Sequence, residues 1–221
     1  MKELKTIAQG LFILFLSTAL ITSCSSDDDG NTVSNPSVTY STTTFNATFF
    51  TSGSSGAPSV NWQGNQGSFS LASPLAGLTI NSTTGVLNWT KDLPLGTHNV
   101  QVVATNSNGQ TTVNITINNP LQGTFTGTYG GSQFFEFEFN ADGTCTLKAN
   151  DELNPDLGTG TWTRTDNTIV VDYNYDDFPD YDYSLSGTLT IGANAVYSGS
   201  WYSGYGAVSG NEGGPFEITL D

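Results

Sequence analysis

The sequence predicts an all-β protein made of two consecutive antiparallel modules, a sandwich over residues 38–119 and a small barrel or curled sandwich over residues 120–221. Three observations lead there. Apolar and polar residues alternate with a period of two in many short runs, as half-buried strands require. Gly, Ser, Thr and Asn clusters punctuate those runs as turns. No long segment carries helical periodicity after the N-terminal stretch. The 221 residues carry 20 acidic and 5 basic side chains, a formal net charge of -15. Such a surface repels phosphate backbones and excludes nucleic acid as a partner. Two cysteines and one histidine exclude a disulfide framework and a His- or Cys-rich metal site.

The chain opens with Lys2 and Lys5, then an apolar stretch from Ile7 to Ile21 that includes LFILFL at Leu11 to Leu16. That run is too short to span a bilayer and fits a cleaved signal. It closes on Ile21, Thr22, Ser23 and Cys24, which resembles a bacterial lipoprotein signal. The resemblance implies removal of residues 1–23 and acylation of Cys24, whose chains, palmitate among them, anchor the protein by hydrophobic burial. An ordinary secretory signal with a coincidental cysteine is the alternative. Ser26, Asp27, Asp28 and Asp29 follow. They resemble the acidic export signal of Bacteroidetes-type surface lipoproteins, which implies an outer-membrane protein facing the exterior. The same residues also suit a plain solvated spacer, and 24–37 reads as a flexible acidic linker.

In the middle module, Phe45, Ala47 and Phe49 share one parity, as do Val100, Val102 and Ala104, and Val113, Ile115 and Ile117. Each set is a candidate strand with one face in a sandwich core. Leu78 leads into a polar turn ending at Thr84-Gly85, a short strand runs from Val86 to Trp89, and a long alternating strand ends at Ala104 before the Asn108-Gly109 turn. This order resembles the Ig- and cadherin-like modules of bacterial surface proteins. The junction from Asn118 to Gln122 lacks the carboxylates of calcium-binding cadherin repeats. His98 reads as a half-buried edge residue, and Trp89, in phase with Leu87, as core.

The terminal module holds 15 acidic and 2 basic side chains, a net -13. Phe135, Phe137 and Phe139 alternate with Glu136 and Glu138, and Asn140, Asp142 and Gly143 form a turn. Cys145, Leu147 and Ala149 continue the inward set, followed by Ile169, Val171, Tyr173 and Tyr175, then Leu185, Leu189 and Ile191, then Phe216, Ile218 and Leu220. Glycine-led strand segments recur at Gly123, Gly158, Leu185 and Tyr197 with spacings too irregular for a solenoid, which predicts a meander of about eight strands. These turns and strand starts resemble lipocalin-like domains of bacterial lipoproteins. Gly127-Thr128-Tyr129 stands where that family has Gly-x-Trp.

Candidate function residues concentrate in VDYNYDDFPDYDY, Val171 to Tyr183. Phe178-Pro179, bracketed by Asp176, Asp177 and Asp180, is expected to form a hairpin tip. Tyr173, Tyr175, Tyr181 and Tyr183, with Trp201, Tyr202 and Tyr205, offer aromatic faces for a sugar or a protein, and neighbouring carboxylates such as Asp182 accept hydrogen bonds. Asp176, Asp177 and Asp180 form a weak candidate for Ca²⁺, since hard oxygen ligands are concentrated without EF-hand spacing. No organic cofactor and no catalytic residue is expected. The leading expectation is a non-catalytic, lipid-anchored envelope protein recognising a glycan or protein. Alternatives are a carrier of an apolar ligand inside a lipocalin-like barrel and a small carboxylate-based hydrolase.

Overall fold

The computed structural model describes residues 34–221, so the expectations for residues 1–23, Cys24, Ser26 and Asp27 to Asp29 lie outside the described residues. All regular structure among them is β. The first nine strands are β1 (Ser37–Thr39), β2 (Thr44–Asn46), β3 (Gly53–Ser54), β4 (Ser59–Asn61), β5 (Ser68–Leu71), β6 (Leu78–Ile80), β7 (Leu87–Trp89), β8 (Gly96–Asn106) and β9 (Gly109–Asn119). They form an Ig-like sandwich region with sheet orders β2-β9-β8-β5 and β3-β7-β6, plus the β1-β4 pair. The β8-β9 hairpin is its long spine, turned at Ser107-Asn108 and in register from Asn106↔Gly109 to Gly96↔Asn119. Val100, Val102, Ala104, Ile115 and Ile117 pack inward with Leu87 and Trp89, as their parity predicts. Val113 and His98 are half-buried, and a His98 ring nitrogen lies 2.7 Å from the Pro94 carbonyl.

One expected strand stops early. Ala47 and Phe49 continue the parity of Phe45, yet β2 ends at Asn46 and a turn follows, in which Phe50 adopts φ 56°. That turn sends Phe49 out of the sandwich and onto the barrel, where it stacks on Phe125 with centroids 6.4 Å apart. Burial of a large ring against the second core outweighs strand continuation here.

The remaining strands are β10 (Gly123–Tyr129), β11 (Gln133–Phe139), β12 (Thr144–Asn150), β13 (Asp156–Thr165), β14 (Thr168–Tyr175), β15 (Phe178–Ile191), β16 (Ala195–Ser203) and β17 (Glu212–Leu220). Each pairs antiparallel with its chain neighbour, and β10 pairs with β17 to close an eight-stranded barrel. Its interior is filled. Phe125, Phe135, Phe137, Tyr197 and Ile218 are wholly buried, and Phe135 and Phe137 meet edge to face at 4.8 Å. The buried Tyr197 hydroxyl donates to the Ile169 carbonyl at 3.0 Å, so the core leaves that polar group satisfied. Outward positions such as Glu136, Glu138 and Thr146 are polar. This is the reverse of a transmembrane barrel, which is apolar outside. Curvature has a local cause at Gly160, where a Cβ would stand 2.3 Å from the Asp172 carbonyl oxygen of β14.

Because the barrel is an up-and-down meander, its loops sort to two ends. The end carrying Phe139–Thr144 and Ile191–Ala195 meets the sandwich. There Phe49, Leu121 and the half-buried Phe50 and Leu95 join the barrel core. Lys91 Nζ donates to the Gly192 and Ala193 carbonyls, both at 2.9 Å, and lies 4.7 Å from the centre of the Phe50 ring. One inward expectation fails at a strand end: Ile191 is exposed because β15 ends there. Tyr181, near the start of β15, is also exposed, and the β14-β15 register shifts between Tyr173 and Tyr175.

Candidate functional site at the barrel mouth

The end of the barrel away from the sandwich is open. β14 and β15 deliver three tyrosines to it: Tyr173 and Tyr183 are directly paired, with rings stacked at 5.7 Å, and Tyr175 meets Tyr183 edge to face at 5.4 Å. β10 ends on Tyr129, which continues the inward parity of Phe125 and meets the Trp201 ring of β16 edge to face at 6.4 Å. Phe178 stands at the rim. These rings enclose a cleft of about 310 Å³. That is near the lower end for ligand pockets and suits one side chain or one sugar-sized group.

A polar edge completes it. The Tyr129 hydroxyl donates to Asn150 Oδ1, and Asn150 Nδ2 donates to Asp156 Oδ2. Asn150 occupies the centre of a tight three-residue turn, with φ 72° and the Asp151 amide donating to the Ala149 carbonyl at 2.9 Å. Such a conformation is strained, and Asn tolerates it better than most residues. Strain of this kind is found where a side chain must be aimed. Burial raises the pKa of Tyr129, and the Asp156 charge adds to it. Burial raises Tyr173 and Tyr175 as well, each reinforced by its neighbouring phenols. Burial therefore keeps Tyr129, Tyr173 and Tyr175 as neutral hydroxyls at ordinary pH.

Trp201 has little freedom. A Cβ on Gly213 would fall 2.0 Å from the indole, so the glycine is what lets β17 pass over the ring. The buried Trp201 Nε1 has no hydrogen-bond partner among the described residues.

The sequence-predicted residues divide into three groups. Tyr173, Tyr175 and Trp201 line the cleft. Asp182 and Tyr205 lie outside it in a network that clamps the 204–211 loop: Asn174 Nδ2 donates to Asp182 Oδ1 at 3.0 Å, the Tyr205 hydroxyl donates to Asn174 Oδ1, and the Gly206 amide donates to Asp172 Oδ1 at 2.7 Å. Tyr202 is half-buried on β16 and does not line the cleft. The hairpin tip is Asp176-Asp177, not Phe178-Pro179, because Tyr175 pairs with Phe178 across a two-residue turn. Asp180 is exposed on β15. No three described His, Cys, Asp or Glu side chains are grouped to hold a metal ion, Asp176, Asp177 and Asp180 included. Sequence reasoning passed over Tyr129, Asn150 and Asp156. Tyr129 was visible in the parity of Phe125, whereas Asp156 follows a proline in a loop and carries no local signal.

A wider crevice of about 640 Å³ lies at the opposite end, between Thr48, Gln122, Asn140 and Asp221. It gathers no comparable set of rings. Among the described residues no helix is long and apolar enough to cross a membrane.

No protein-family model and no curated protein matches the chain. Solved structures with similar chain traces include human protocadherin-24 EC1-2, at 8% identity and TM-score 0.39, covering 84% of this chain and 96% of that one. The protocadherin GammaB4 extracellular domain matches at 12% identity and TM-score 0.32, covering 74% of this chain and 33% of that one. A quinonprotein alcohol dehydrogenase-like protein from Bacteroides thetaiotaomicron matches at 11% identity and TM-score 0.30, covering 84% and 62% respectively. Likenesses this remote assign neither a family nor an activity.

Proposed function

We propose that the chain is a non-catalytic recognition protein of the cell envelope, anchored to the outer membrane through lipid on Cys24 and turned outward by Ser26 to Asp29, whose barrel mouth binds a glycan or a protein. One observation carries the binding assignment. Seven large apolar side chains of the described residues are exposed, and all but Ile191 sit at the mouth end: Leu153, Leu157, Phe178, Tyr181, Tyr205 and Val208. Apolar groups concentrated on the loops and strand starts of one barrel end, with Phe178 on the rim of an aromatic cleft there, mark an interaction surface, whereas scattered ones would not. The filled barrel interior favours this reading over an apolar-ligand carrier, which needs that space empty. Among the described residues Asp156 is the one acid lining the cleft, and a glycosidase pair would need two.

The test is the full chain probed against envelope glycans and envelope proteins. Replacing Tyr175 or Trp201 with Ala should weaken the interaction by about 2 kcal/mol, the scale of an interface hot spot. Ile191→Ser should leave it unchanged. Mouth variants that melt like the parent and bind like it would refute the assignment. For the anchor, Cys24→Ala protein should leave the detergent-extracted membrane fraction; full retention there would contradict lipidation.

A further inference from the structure

Charge and ring geometry at the mouth narrow the ligand further. We infer that the cleft takes a protonated amine, the lysine side chain of a protein partner, with its methylene stem on the tyrosine faces and its ammonium beside Asp156. This rests on the reading of the mouth as the binding site.

Four observations converge. The walls are aromatic: Tyr129, Tyr173, Tyr175, Tyr183 and Trp201 surround the space, and ring faces attract a cation while ring bodies bury its alkyl stem. Asp156 supplies one carboxylate at the edge. Its Oδ2 is held by Asn150, and its Oδ1 accepts no hydrogen bond from the described residues. Among the described residues no free cation competes at the cleft. Of the two basic side chains in residues 120–221, Lys148 is engaged by Glu136 at 2.8 Å and Arg164 lies toward the sandwich end, donating to the Asp166 carbonyl. Finally, Asp151, Glu152, Asp176, Asp177 and Glu212 crowd the loops and strand starts around the mouth. They lower the potential there and steer a basic partner toward it. A neutral sugar would gain from the rings but not from this field, and a phosphate or carboxylate would be repelled by it. Exposed Phe178 on the cleft's rim and exposed Leu153 in the adjoining β12–β13 loop argue that the amine arrives on a protein, since a free small amine would leave them uncovered.

The experiment uses the ¹⁵N-labelled full chain in detergent, titrated with n-butylammonium, with its neutral analogue N-butylacetamide, with methyl β-glucoside, with choline, and with a capped Gly-Lys-Gly peptide in free and Nε-acetylated forms. The readouts are the amides of Asn150, Asp156 and Tyr175 and the Trp201 indole N–H, assigned through Trp201→Phe. The expected result is saturable shifts with n-butylammonium and the free peptide, at least about tenfold weaker binding after acetylation or in Asp156→Asn, and recovery in Asp156→Glu. Signals from the sandwich and the far barrel end should stay unmoved, which also certifies the fold of each variant. If N-butylacetamide or the glucoside binds as well as the amine, or Asp156→Asn changes nothing, the cation claim fails while the mouth remains a site. Preference for choline over the lysine peptide would overturn the protein source. If no probe moves the mouth signals, both the inference and the underlying assignment fall.

Discussion

At the scale of single residues, Cys145 illustrates how environment decides chemistry. It faces the barrel interior as a free, buried thiol, and burial pushes its pKa up to about 12. A thiol held neutral and covered is a small hydrophobe and a poor nucleophile. Alkylating reagents at pH 8 should therefore leave Cys145 unmodified in the folded protein and label it rapidly in denaturant, as read by mass spectrometry. Rapid labelling of the native chain would contradict its burial. Asn150 shows the opposite case. Its strained backbone and its two side-chain bonds bind Tyr129 to Asp156, and nothing in the local sequence distinguishes it from the chain's many turn asparagines.

At the scale of elements, period-two alternation made the barrel strands legible because the same two-sided pattern recurs: Phe135 to Phe139 against Glu136 and Glu138, then Cys145 to Ala149 against Thr144 and Lys148. Closure was not legible. It depends on Tyr129 pairing with Phe216, a contact between distant strands that either a barrel or an open sheet would leave unmarked in the local pattern. The mouth shares that opacity, since its residues come from six strands and meet only once the sheet closes. The early end of β2 was hidden for a related reason, because Phe49 fits the parity of the sandwich while packing on the other core. Phe49→Ala should accordingly destabilise the barrel by about 3 to 5 kcal/mol, the usual cost of deleting a buried phenylalanine. Calorimetry should show the loss, and a change below about 1 kcal/mol would mean the ring contributes little to the joint.

At the scale of the whole molecule, stability and binding both follow from phenols and carboxylates. Burial pushes Tyr40 up to about 12 and also raises Tyr173, Tyr175 and Tyr197. In the unfolded chain these groups ionise near pH 10. Their contribution to stability is thus complete below that pH. Above it the unfolded chain releases protons that the folded chain keeps, so stability falls as pH rises toward 12 and beyond. Denaturant midpoints measured from pH 9 to 12 should decline, and less steeply in Tyr40→Phe. A midpoint that holds constant across the range would show that these phenols are not protected.

The central claim is that the protein meets its ligand at the barrel mouth. Photo-crosslinking on intact cells tests it most directly, with the reactive side chain placed either at Phe178, on the mouth rim, or at Ile191, an exposed large apolar residue of the opposite end. The account predicts a discrete adduct from position 178 and none from position 191, with the adduct diminished by Trp201→Ala. Adducts arising equally from both positions, or from position 191 alone, would contradict it.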